Sequence, residues 1–216
     1  MLFSDAMAGP AETLVAELRD YPEWRKGRAR YGVWVAPIDD PALLDYVDTA
    51  RRQLADLIHP SPRRQPHLTV FVCGFHGAGN RNDDFSPQQL EHQLATLLRH
   101  SSTACDLPLA GLDSFASAAF IPVGDPQGRL AGWRQTLGET SREVRQGPYV
   151  PHITLGLYRV RVSAEVVRER LAGVPPSTLT LRVSELHYVT YDASDQLGAL
   201  DTLHCVRLSG DMHVRE

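Results

Sequence analysis

One pentapeptide pattern occurs twice in this chain. Pro66-His67-Leu68-Thr69-Val70 returns 85 residues later as Pro151-His152-Ile153-Thr154-Leu155. At average composition one such pattern arises in roughly 1 in 1,000 chains of this size, and two in roughly one in a million. Both copies sit in runs of β-forming residues, 67–75 and 149–158, where residues i and i+2 share a face about 6–7 Å apart. His67 and Thr69 therefore project together, as do His152 and Thr154, while Leu68, Val70, Ile153 and Leu155 turn toward a core. Threonine is β-branched and stiff, which fixes its hydroxyl as a donor.

If the two strands meet about a pseudo-twofold axis, two imidazoles and two hydroxyls line one cleft. Histidines of ordinary pKa, near 6.5, supply a base and an acid at neutral pH. Two threonine hydroxyls can donate to the non-bridging oxygens of a phosphate held between them. The set suits in-line displacement at a phosphodiester and needs no cofactor. No metal is expected, because two histidines are too few ligands and neither motif carries a Cys or carboxylate.

Composition narrows the alternatives. The 22 basic residues are 21 Arg and one lysine, Lys26, so Schiff-base chemistry, lysyl-adenylate ligation and a P-loop lack their lysine. GxSxG and HExxH are absent, and the glycines of 74–79 lead into a polar loop instead of a helix. Three separated cysteines, Cys73, Cys105 and Cys205, read as buried thiols of a reducing compartment. The start MLFSDAMAGPAE has neither the basic nor the apolar region of a secretory signal, and no apolar run reaches 18 residues. The expected setting is cytoplasmic, with no membrane and no obligate protein partner.

The remaining pattern predicts an α+β chain. Helices are expected over 10–20, 42–58 (N-capped by Asp40), 86–100, 127–145 and 163–171. Strands are expected over 31–38, 67–75, 104–111, 117–123, 149–158, 178–191 and 203–209. Hairpin-like neighbours at 104–123 and 178–209 argue for antiparallel sheets. Arg63 and Arg64, just before the first motif, are candidates to meet a phosphate, and Trp34 and Tyr149 either to stack on a base or to pack in the core. Arg25, Lys26, Arg28 and Arg30 read as either a basic edge for RNA or a solvated linker. His92 and His100 are expected to face solvent, and His187 to pack in the core or rim.

Paired His-x-Thr-x motifs on strands, with this order of elements, resemble the 2H phosphoesterase superfamily, which includes 2′-5′ RNA ligase-like proteins and cyclic nucleotide phosphodiesterases. The resemblance covers roughly 30–210. It implies a bilobal fold of two antiparallel sheets related by a pseudo-twofold axis with flanking helices, preceded by an extension (1–29) and followed by a tail (211–216). It further implies a monomeric, metal-independent enzyme acting on 2′,3′-cyclic phosphates of nucleotides or RNA ends. His152 is then read as the base that activates water, His67 as the acid, and Thr69 and Thr154 as phosphate holders. Two departures stand out: the long N-terminal extension, and Leu157 where a basic residue often follows the second motif. A module that binds an RNA end without turnover, and RNA ligation as the reverse reaction, are the other readings the motifs allow.

Overall fold

The computed structural model describes residues 1–216 except 6, 62, 78, 80, 101, 102, 145, 146 and 210–216, so the expected tail at 211–216 lies outside the described residues. Its elements in chain order are α1 (Pro22–Arg25), β1 (Arg30–Pro37), α2 (Pro41–Gln53), β2 (His67–His76), β3 (Asp84–Phe85), α3 (Pro87–Arg99), β4 (Cys105–Pro108) and β5 (Asp113–Ser114). There follow β6 (Ala118–Pro122), α4 (Arg129–Gly138), β7 (His152–Leu157), α5 (Ala164–Ala172), β8 (Thr180–Val183), β9 (Glu185–Asp192) and β10 (Asp201–Arg207). The helix starts follow their capping residues. Asp40 accepts from the Leu43 amide at 2.8 Å, and Ser86 and Gln89 form a reciprocal capping box.

Two antiparallel half-sheets, β10-β9-β1-β2 and β7-β6-β5, join where β2 meets β7. That junction is one residue pair, Leu68 opposite Ile153, antiparallel. The two residues hold the same position in the repeat, so the junction is a local twofold axis. The register centred there sets His67 across from Thr154 and Thr69 across from His152. β3 adds to β2 in parallel, and β4 pairs with β8 in a separate two-stranded sheet.

Both motif strands bulge at the same place. Val35 pairs with Thr69 and Trp34 with Phe71, so Val70 has no cross-strand partner on β1. Phe120 pairs with Thr154 and Ala119 with Gly156, so Leu155 is passed over likewise on β6. Such a bulge bends the strand just after the residues it presents. Leu68, Val70, Ile153 and Leu155 are all buried in the main core with the inner faces of α2, α3 and α4. Tyr31, Val33, Val35 and Val189 form a smaller apolar layer on the opposite face of the sheet.

Several expectations need correction. Residues 10–20 form no helix. Thr13, Leu14 and Ala16 donate their amides to the carbonyls of Val162, Ala116 and Tyr158, and Thr13 is fully buried. The helical spacing of Leu14, Val15 and Leu18 leaves all three exposed, because hydrogen bonds to neighbouring segments claim the N–H groups that a helix would use. The extension's short helix is α1 instead. The segment 104–123 divides its pairing: β4 pairs with β8, while β5 pairs with β6 and Leu109 bridges Val123 antiparallel. The helix expected over 127–145 stops at Gly138, and the strand expected over 178–191 breaks at Ser184 between β8 and β9. Cys205 is exposed on an edge strand, not buried. The basic run is no open cationic edge: Arg25, Arg28 and Arg30 are paired with Asp20, with Asp83 and Asp84, and with Asp201.

Because the half-sheets share one registered pair, truncation there should be costly. Leu68→Ala and Ile153→Ala should each lower the unfolding free energy by about 2–5 kcal/mol, while Leu203→Ala, at an exposed position, should stay within about 0.5 kcal/mol. Urea unfolding curves measure all three.

Candidate active site

The two motif histidines are held in the same way. His67 Nδ1 lies 2.7 Å from the Gln65 carbonyl oxygen, and His152 Nδ1 lies 2.6 Å from that of Val150. A carbonyl only accepts, so Nδ1 carries the proton and donates in each ring. In each copy a proline, Pro66 or Pro151, separates the acceptor from the histidine. Proline fixes its own φ and holds the preceding residue extended, which presents that residue's carbonyl to the ring. The lock fixes the tautomer of both rings with the proton on Nδ1, so Nε2 is the unprotonated nitrogen of each neutral imidazole. Phe115 and Phe120 pack against the His152 ring, with centroids 5.2 and 5.0 Å away.

His67, Thr69, His152 and Thr154 line one cavity of about 320 Å³. Among the described residues neither threonine hydroxyl has a hydrogen-bond partner within the protein, so both are open to an incoming acceptor. Burial pushes the His67 pKa down from 6.5 to about 4, against the opposing effect of its bond to Gln65, and the Arg64 cation adds to the depression. His67 is therefore neutral at pH 7, not the near-neutral titrating group that an ordinary histidine would be.

The bulges are stabilised by arginines from the helices that precede each motif strand. Arg134 of α4 donates to the Val70 carbonyl at 2.6 Å, and Arg51 of α2 donates to the Leu155 carbonyl at 3.0 Å. The residue passed over by the neighbouring strand thus has its carbonyl satisfied in both halves. Arg134 also pairs with Glu143 and lies 3.7 Å over the Tyr149 ring.

The four motif residues come together as the spacing implied; the other candidates divide. Arg64 lines the cavity, donating to the Gln196 carbonyl at 2.6 Å with its guanidinium 4.3 Å over Tyr191. Arg63 points elsewhere, in an exposed ion pair with Asp195. Trp34 is fully buried on the core face of β1, its indole N–H donating to Gln93 at 2.7 Å, so no base can reach it. Tyr149 is not among the cavity residues, and its hydroxyl donates to the Thr69 carbonyl at 2.8 Å, bracing the first motif from the approach to the second. Tyr191 and Gln196 line the cavity without having been singled out in the sequence, as do Tyr31 and Val33 on the neighbouring strand. Alternation along a strand could have suggested Tyr31 and Val33, but nothing local marks Gln196, Arg51 or Arg134.

Residues 38–195 match the family described as the 2′-5′ RNA ligase superfamily. No curated protein matches the sequence. Among solved structures, Escherichia coli LigT complexed with 3′-AMP aligns with a TM-score of 0.55 at 19% identity, covering 83% of this chain and 98% of LigT. The protein TT0787 of Thermus thermophilus aligns at 0.52 and 18%, covering 84% and 99% of the two chains. The conserved protein of unknown function ATU0111 from Agrobacterium tumefaciens aligns at 0.56 and 14%, covering 86% and 89%. At these identities the likeness is one of fold.

Arg51→Ala and Arg134→Ala each strip a donor from a bulge carbonyl, and each should cost about 1–3 kcal/mol in chemical denaturation. A His67 pKa below its unfolded value of 6.5 favours the folded state fully above that pH. This contribution is lost as pH falls toward 4. Unfolding free energies measured across that range should therefore fall more steeply for the native chain than for His67→Asn.

Proposed function

The chain belongs to the 2′-5′ RNA ligase superfamily, and from that premise we propose that it is a phosphoesterase opening 2′,3′-cyclic phosphates of nucleotides or RNA ends by two-histidine acid–base catalysis. One observation carries the reading. Two histidines with identically locked rings and two threonines with open hydroxyls line the same cavity about a local twofold axis. The occupants of the related fold support it, since E. coli LigT has been solved with 3′-AMP and with phosphate.

In this mechanism the Thr69 and Thr154 hydroxyls donate to the two non-bridging oxygens of the cyclic phosphate, and the Arg64 cation balances their charge. One histidine takes a proton from water through Nε2 as the water oxygen bonds to phosphorus. The other gives its Nε2 proton to the ribose oxygen as the P–O bond breaks. Exchange with solvent then restores both rings.

We infer base and acid roles opposite to those of the sequence reading. Burial and the Arg64 cation keep His67 neutral at pH 7, with a lone pair on Nε2, which is the form a base requires. His67 is accordingly the base, and His152 the acid that protonates the leaving oxygen.

Phosphorus NMR of a 2′,3′-cyclic AMP incubation should show conversion to a monoester. A cyclic nucleotide that binds but persists would instead make the protein a binding module. His67→Ala and His152→Ala should each lower kcat by about 10²-fold or more, and Thr69→Val and Thr154→Val by roughly 10-fold. A p-nitrophenyl phosphodiester, whose leaving group needs no proton, separates the roles. His152→Ala should retain most activity on it and His67→Ala should not; the opposite pattern would assign base and acid as the sequence suggested.

A further inference from the structure

Three metal-ligating side chains converge on the β9–β10 pair, away from the cavity. Glu185 and His187 are two residues apart on β9 and share a face, and Cys205 on β10 stands directly opposite His187. A bulge creates this pairing. The register slips between Thr202 and His204, which sets Cys205, and not His204, across from His187. One Glu185 oxygen lies 2.6 Å from His187 Nε2, the other accepts from the Cys205 thiol at 3.2 Å, and the three donor atoms lie within 4.8 Å of one another.

A thiol, an imidazole and a carboxylate form the donor set of borderline divalent transition metals, whereas magnesium and calcium take oxygen ligands. Bond lengths of about 2.0–2.3 Å to zinc place tetrahedral ligand atoms roughly 3.3–3.8 Å apart, a spacing this cluster reaches with small side-chain rotations. We propose that Glu185, His187 and Cys205 bind a zinc-class divalent ion, with water in the fourth position. On binding, the Cys205 proton leaves to solvent and the thiolate bonds to the metal. His187 moves its proton to Nδ1 and coordinates through Nε2. The thiolate and carboxylate together balance the ion's two charges.

The ion clamps edge strand β10 onto β9 just past the bulge. It does not reach the phosphate site: His187 pairs with Val35 and Val35 with Thr69, two strand spacings or about 10 Å. The donors come from two strands, Glu185 and Cys205 being 20 residues apart, so they form no compact sequence motif.

Titration of the full chain with Co²⁺ tests the site. One equivalent should produce a near-ultraviolet thiolate-to-cobalt charge-transfer band that Zn²⁺ displaces, and one equivalent of Zn²⁺ should raise Tm. Cys205→Ser should abolish the band and the Tm shift. His187→Ala should weaken binding by about 10-fold or more, and Cys73→Ser should leave binding intact. Absence of the band in the native chain, or its persistence in Cys205→Ser, would overturn the proposal. Cys205 is exposed, so its replacement leaves the core untouched, and circular dichroism of the variant confirms that it is folded.

Discussion

Leu68 and Ile153 face each other across the seam between the two half-sheets, at equivalent positions of the repeat. The antiparallel pairing at this point converts a repeat in sequence into a twofold arrangement in space. His67 falls beside Thr154, Thr69 beside His152, and all four side chains reach one cavity. A one-residue slip would turn each set of side chains to the wrong face. Both paired residues are fully buried, so the same apolar contact that seals the core also holds the register of the polar groups above it.

The supports around the seam are paired as well. Each motif histidine is fixed by the carbonyl two residues before it, with a proline between. Each strand bulges after its threonine, and a helix arginine satisfies the bulged carbonyl. The symmetry breaks in the surroundings. Phe115 and Phe120 pack against His152, whereas Arg64 stands near His67 and helps to depress its pKa. Two residues locked alike thus have different neighbours, aromatic rings beside one and a cation near the other.

Much of the frame was legible because it rests on local chemistry. Asp40-Pro41 and Ser86-Pro87 mark helix starts through side-chain capping, and the apolar alternation of 67–75 marks a strand. The errors arose where distant groups compete for the backbone or the surface. Residues 10–20 have helical spacing, yet their amides bond to Ala116, Tyr158 and Val162. Trp34 and Tyr149 allowed either stacking or core packing, and the choice is made by Gln93 and the Thr69 carbonyl, which take their polar atoms. The Glu185, His187 and Cys205 cluster could not be seen in the sequence, because a register slip between two strands is what aligns it.

The sequence alone determined the four groups of the candidate site. Period-two alternation puts a histidine and a threonine on one face of each strand whatever surrounds them, and the proline before each histidine favours the ring lock. Only the tertiary structure decided that the two faces meet, that Arg64 and not Arg63 enters the cavity, and that His67 sits neutral. Those outcomes depend on register across the seam, on which carboxylate captures which arginine, and on the water excluded from around one ring. Each is a relation between residues far apart in the chain, and no local pattern encodes it.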